Sequence, residues 1–306
     1  NQGRIKQPMY LASGATHYPP ISWEKSLELI SNKLNSLPNP NRAVFYTSGR
    51  TSNEAAFLYQ AFVRLLGTNN LPDCSNMCHE SSGKALVQTI GIGKGTVTLD
   101  DFNHADTILV IGQNPGTNHP RMLTALRDAK LKGAKIIHIN PLPETGLVRF
   151  KHPQDYMKLD LSSTGLADMH LQVKIGGDAA LLRAINKLTI DSESIDKKFI
   201  SRKTKSYNEF AKSLQQIDWE RIENDSGIPK SEIKKFSDII VKSKSIISCW
   251  AMGLTQHKNG VHVIQEVVNL HLLGGHIGRI GAGLCPVRGH SNVQGNRTVG
   301  IWEAPS

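Results

Sequence analysis

No run of about eighteen apolar residues, the length a membrane-crossing helix needs, occurs in the 306-residue chain. Its first residues, NQGRIKQPMYLASG, lack the apolar stretch of a signal peptide, so a cytoplasmic chain without a membrane segment is expected. Cysteine is scarce: Cys74, Cys78, Cys249 and Cys285 are the only four. So few in so long a chain exclude a disulfide framework and leave the thiols for packing or metal ligation. Internal repeats and low-complexity tracts are absent too, which excludes solenoids and tails.

The charge is one-sided, with 36 Lys and Arg against 26 Asp and Glu. No aromatic-interleaved basic motif or zinc-finger spacing accompanies that excess, so nucleic acid is not an expected partner. Much of it gathers in clusters such as Lys197-Lys198, Arg202-Lys203 and Lys242-Ser243-Lys244, which read as solvated surface. A phosphate-bearing cofactor needs only a few of the remainder. The hydrophobic share of 39% is that of a globular chain of one large or two intergrown domains. The start without Met and the stop at IWEAPS point to a segment of a longer polypeptide.

Strands alternate with helices. AVFYTS, from Ala43, reads as a short buried strand, followed by a helix in which Thr51 and Glu54 have capping-box spacing and which ends at Gly67. TILVIG (Thr107 to Gly112) is a strand followed by the loop QNPGTNHP and a helix that stops at Gly133. AKIIHIN (Ala134 to Asn140) and SIISCWAMG (Ser245 to Gly253) are two more strands, and helical segments fill residues 178–240. Such alternation predicts an α/β fold with a mainly parallel sheet. The strand ends carry TSGR, GQNPGTNHP, NPLPE and MGLTQH, and ligands of open parallel sheets lie at the carboxyl ends of strands.

The stretch DCSNMCHE concentrates sulfur, imidazole and carboxylate. Cys74 and Cys78 with His79 have the residue types for zinc or an iron–sulfur cluster, but no second ligand pair completes such a site. A Cys78–His79 nucleophile pair is disfavoured because sequence neighbours point apart. A thiolate on one transition metal, with His79 facing the substrate, fits better, and buried inert cysteine is the plain alternative. Gly91 to Gly95 reads as a passage over the site or as a plain loop. GAGLCPVRGHSNVQGN (Gly281 to Asn296) is too rich in Gly for helix or strand, and reads as an extended loop around a ligand or as an irregular connection; it brings Arg288 and His290 close in sequence.

Taken in order, YTSGRTSNEAAF, DCSNMCHE, GQNPGTNHPRM, INPLPE, IGGDAALL, MGLTQH, GHIGRIGAG and PVRGHSNVQG resemble the blocks of the molybdopterin oxidoreductase superfamily, specifically the formate-dehydrogenase-like alpha subunits. The resemblance implies a Rossmann-like pair of intergrown α/β domains, residues 20–74 plus 290–306 and an inserted 75–289. It implies a bis(molybdopterin guanine dinucleotide) cofactor carrying molybdenum or tungsten, with Cys78 as metal ligand and Cys74 structural. His79 would handle the proton and Arg288 would orient an anionic substrate. His290 stands where formate dehydrogenases have glutamine, a departure at the substrate. The implied cofactor-binding residues are Gly49, Arg50, Gly112, Asn114, Pro115, Thr117, His119, Asn140, Pro141, Gly253, Thr255 and Gln256; Asn140 replaces a usually acidic residue. A [4Fe–4S] cluster is implied in an amino-terminal domain outside this segment, as is an electron-accepting protein or subunit. The expected function is two-electron oxidation of a small, formate-like substrate. The alternatives are a degenerate member that binds cofactor or partner without turnover, and a zinc- or thiol-dependent hydrolase.

Overall fold

A computed structural model describes residues 3–154 and 164–303. It divides into two compact units, residues 1–74 with 290–306, and residues 75–289. Among the described residues no helix is long and apolar enough to cross a membrane.

Along the chain the helices are α1 (Trp23–Asn35), α2 (Asn53–Leu65), α3 (Cys74–Cys78), α4 (Glu80–Ile90), α5 (Pro115–Asn118), α6 (Pro120–Leu131) and α7 (Thr145–Val148). They continue with α8 (Asp178–Asp191), α9 (Lys197–Lys203), α10 (Tyr207–Gln215), α11 (Trp219–Ser226) and α12 (Lys230–Lys242), then α13 (Met252–Thr255), α14 (Gly260–Leu273) and α15 (Val293–Thr298). The strands are β1 (Thr107–Ile111), β2 (Lys135–Ile139), β3 (Met169–Leu171), β4 (Ile246–Trp250) and β5 (Gly283–Pro286).

In the smaller unit Phe45, Ala56, Val63, Leu71 and Ile301 form the core. AVFYTS is not a strand: Phe45 and Thr47 are buried while Val44 and Tyr46 are exposed, and one parallel bridge, Thr47 to Asp73, is its pairing. The alternation has the period of a strand without a ladder to join. The predicted cap also moves by one residue. Ser52, not Thr51, accepts from the Ala55 N–H to open α2, while the Thr51 hydroxyl bonds that of Thr47 at 3.0 Å. Gly67 ends the helix with a φ of 94°, as expected.

The larger unit is built on a parallel five-stranded sheet in the order β3-β2-β1-β4-β5. TILVI and IISCW are buried throughout, because helices cover both faces. Leu109, Ile111, Ile137, Ile139, Trp250 and Leu284 face a core shared with α4, α8, α12 and α14. Ile108, Val110, Ile136, Ile247 and Cys249 face another with α6, α7 and the turn Asp100–His104. The expected α/β class with a parallel sheet is what the chain forms. A further expectation fails: Gly283 to Pro286 is a strand, because Leu284 and Cys285 pair with Ser248 and Cys249, and Val293 to Thr298 is a helix. Tertiary pairing here overrides the low strand preference of Gly and Pro. Gly91 to Gly95 is a loop that opens with a left-handed Gly91, φ 79°, ending α4.

The sheet buries histidines in neutral form. Burial holds His271 down at about 4; burial and the neighbouring His170 hold His138 at about 4; burial with His271 and Arg279 holds His276 at about 3. Each would take up a proton on unfolding below the ordinary value of 6.5. The unfolded chain then binds more protons than the folded one, so stability is full above about 6.5 and is lost as pH falls toward 4. At about 1.4 kcal/mol per pKa unit, roughly 3 kcal/mol is involved at His271 and His138 and at most about 5 at His276. The melting temperature should therefore fall steadily from pH 7 to pH 5, and His271→Gln should flatten that slope; a melting temperature independent of pH over this range would contradict the account.

Candidate functional site

In a doubly wound sheet of this order, the chain leaves β1 and β4 in opposite directions, and a crevice opens at their carboxyl ends. Gly112 follows β1 and Gly253 follows β4, and the two backbones touch. A Cβ on Gly253 would lie 2.5 Å from the Gly112 Cα, and one on Gly112 2.8 Å from the Gly253 Cα. Gly112 also has a φ of 56°. The Gly253 N–H donates to the Gly112 carbonyl at 3.0 Å. Any side chain here would push the strand ends apart.

A cavity of about 270 Å³ lies beside this contact, lined by Gly112, Asn140, Pro141, Asp178, Gly253 and His257 among others. Its floor is polar. The Asn140 Nδ2 donates to the Leu142 carbonyl at 2.9 Å and to Glu144 at 3.2 Å, and the other Glu144 oxygen accepts from the Asn114 Nδ2 at 2.6 Å. With its donors so used, Asn140 offers an acceptor oxygen. Burial pushes the Asp178 carboxyl up to about 6, against the pull of its own helix N–H at the start of α8 and of His257. Asp178 and Glu144 are absent from the sequence-based expectations. Signals for both were present: an acid opening a helix directly after Gly176-Gly177, and an acid four residues beyond Asn140.

Between α3 and α4 stands a second group. Cys78 is half-buried; burial pushes its thiol up, while a Gly289 backbone hydrogen bond and the Arg288 charge pull the other way. Its main chain is clamped from the β4 loop. The Thr255 hydroxyl donates to the Cys78 carbonyl at 2.6 Å, and the Gln256 amide donates to the Met77 carbonyl. Ser81 in turn donates to the Thr255 carbonyl at 3.1 Å.

His79 is expected to face the substrate beside the metal. Its ring is buried, with Nε2 3.0 Å from the Val287 carbonyl and Nδ1 2.9 Å from the Ser82 hydroxyl. A carbonyl only accepts, so Nε2 carries the proton and Nδ1 accepts from Ser82. The Ser82 oxygen also accepts from the Trp250 indole at 2.9 Å. Burial first, and then Arg288, lower His79 to about 4, keeping it neutral. His119 is tied to the same segment: its Nε2 donates to the Arg288 carbonyl at 3.1 Å while Nδ1 accepts from Gln113 at 3.2 Å.

The structure thus gathers Cys78, His79, Arg288, His119, Thr255 and Gln256 into one group, and Gly112, Asn140, Pro141 and Gly253 at the cavity. Asn114 caps α5, accepting from the Thr117 N–H at 3.0 Å, with Pro115 at its first position. Gly49, Arg50 and His290 belong to the smaller unit, where a Cβ on Gly49 would collide with the Cys74 sulfur, Val293 and His290. Gly49 is therefore a packing glycine as well.

A glycine contact at the switch point of a parallel sheet, and a thiol whose main chain is clamped from the β4 loop, belong to an open α/β fold of the doubly wound type. A sequence model of the molybdopterin oxidoreductase family matches residues 4–300, and the chain belongs to that family. It is 51% identical over 308 residues to an uncharacterized oxidoreductase of Mycobacterium tuberculosis, covering 99% of this chain and 40% of that protein. It is 47% identical to Protein YdeP of Escherichia coli, over 99% of this chain and 42% of that protein. Formate dehydrogenase H of the same species is 30% identical over 95% of this chain and 39% of its own length. The chain thus spans about two fifths of the curated relatives it matches. Acetylene hydratase from Pelobacter acetylenicus shares the fold, with a TM-score of 0.73 at 21% identity over 93% of this chain and 37% of that one. Family membership implies a molybdopterin cofactor carrying molybdenum or tungsten.

The close approach of Gly112 and Gly253 yields a test. Gly253→Ala should destabilise the protein by about 1–3 kcal/mol, the usual cost of overpacking, read as a lower denaturant midpoint at unchanged slope. An unaltered midpoint would show that the strand ends can part freely.

Proposed function

We propose that the chain is the central part of the catalytic subunit of a molybdopterin-dependent oxidoreductase, and that Cys78 is the protein ligand to its molybdenum or tungsten. The observation that carries this reading is the treatment of Cys78. Its backbone is fixed by Thr255 and Gln256, and its sulfur lies under a backbone hydrogen bond from Gly289 and the charge of Arg288. Burial makes a lone thiolate costly, and a bound cation compensates that cost.

The residues present fit the implied group. The glycine contact leaves backbone, not side chain, at the crevice, and the adjoining cavity offers acceptors at Asn140 and Asp178. These suit the N–H donors on the edge of a guanine base, which supports the guanine dinucleotide form of the cofactor. Asn114, Pro115, Thr117 and His119 form the loop at its side, with Pro141 at the β2 end. Gly49 and Arg50 of the smaller unit are proposed, from the family resemblance, as cofactor-binding residues. The cofactor when bound supplies two-electron redox chemistry, and the protein supplies position and electrostatics.

Arg288 is proposed to hold a small anionic substrate. His79, neutral and with its proton on Nε2, accepts a proton at Nδ1 once the Ser82 hydroxyl turns away. His290, in place of the glutamine of formate dehydrogenases, bears on substrate choice and favours a formate-like acid other than formate itself. An iron–sulfur cluster and an accepting protein or subunit outside these residues would take up the electrons.

The intact protein, purified without oxygen from cells that make the pterin cofactor, should contain stoichiometric molybdenum or tungsten. Cys78→Ala should lose that metal and all turnover while melting at the wild-type temperature. Zinc in place of both metals, or metal retained in the variant, would overturn the assignment.

A further inference from the structure

The sheet holds a second pair of sulfurs that the site leaves unused. Cys249 on β4 and Cys285 on β5 are register partners in adjacent parallel strands, so both side chains project from the same face. Partnered residues in neighbouring strands lie about 4.8 Å apart, inside the range of about 4.4–6.8 Å between Cα atoms that a disulfide spans. Cys285 packs against the buried cluster that contains Cys249. Cys249 is fully buried, whereas Cys285 is half-buried and opens onto a cavity of about 580 Å³ bounded by Leu99, Phe102, His119, Met122 and Val287.

β4 is held between β1 and β5, whereas β5 is a four-residue edge strand ending at Pro286 whose Leu284 bonds Thr96 on its outer side. Two residues beyond Cys285 stands Val287, whose N–H donates to the Trp250 carbonyl at 2.8 Å and whose own carbonyl anchors His79.

We propose that Cys249 and Cys285 are a dithiol oxidised by peroxides to an intramolecular disulfide, with Cys285 attacked first and Cys249 resolving it. The Cys285 thiolate attacks one oxygen of hydrogen peroxide and the O–O bond breaks. The released hydroxide takes a proton to become water, and Cys285 is left as a sulfenic acid. The Cys249 sulfur then attacks the Cys285 sulfur, the S–O bond breaks, and the hydroxyl leaves with the Cys249 proton as a second water. Two thiols and one peroxide thus give one disulfide and two waters, the two electrons coming from sulfur. The order follows from the surroundings: the hydrogen bond from Cys249 lowers Cys285, and burial raises Cys249. Cys285 opens onto the cavity, so a bridge there is within reach of thiol reductants and the modification is reversible. The bridge ties β5 to β4 two residues before Val287, whose carbonyl anchors His79.

The test needs no bound cofactor. The intact, fully reduced protein is treated with hydrogen peroxide, alkylated with iodoacetamide, and digested for mass spectrometry. The expected result is a cross-linked peptide pair containing Cys249 and Cys285, lighter by two hydrogens and separated by dithiothreitol, with loss of alkylation at both residues. In Cys249→Ser, Cys285 should instead be trapped as its dimedone adduct. Full alkylation of Cys285 at a peroxide dose that oxidises Cys78 would overturn the proposal, as would a bridge that forms only in denaturant.

Discussion

The architecture of the larger unit depends on one contact, the backbone of Gly112 against that of Gly253. Because neither residue has a side chain, β1 and β4 can end side by side and their loops can leave at van der Waals distance. The β4 loop then runs close enough for Thr255 and Gln256 to grip the main chain of residues 77 and 78, and the β1 loop brings His119 to the carbonyl of Arg288. The 270 Å³ cavity is the space left beside that contact. Removing the contact would disconnect the thiol from the sheet that positions it.

Electrostatics follow from the same packing. Burial lowers His79 to about 4 and lowers His119 as well, and Arg288 is the positive charge acting on Cys78. A half-buried thiol beside one cation is poised between two states, protonated when alone and ionised when a metal supplies further charge. Occupancy of the site and ionisation of Cys78 are therefore linked, and the neutral histidines keep competing charge away from the sulfur.

The parts of this arrangement visible in the sequence were those with a local cause. β1, β2 and β4 announce themselves as apolar runs because both faces of the sheet are covered, and Gly67 and Gly133 mark helix ends by their handedness. Features that require a partner distant in sequence were not visible. β5 carries two residues that discourage strands, and exists because β4 offers an edge. Phe45 and Thr47 alternate as in a strand, yet a single bridge is what they find. Of the site, the association of Cys78, His79 and Arg288 came from a family resemblance. The engagement of both His79 nitrogens, the Glu144 link between Asn114 and Asn140, and the pairing of Cys249 with Cys285 have no local signature, since each joins residues through space.

X-ray absorption at the molybdenum or tungsten edge of the intact enzyme, compared with Cys78→Ser, tests the central assignment most directly. The account predicts that the substitution removes one sulfur from the metal's coordination shell and puts a lighter atom in its place. Identical sulfur counts in the two proteins would mean that Cys78 does not hold the metal, and that the clamp on its backbone serves the fold alone.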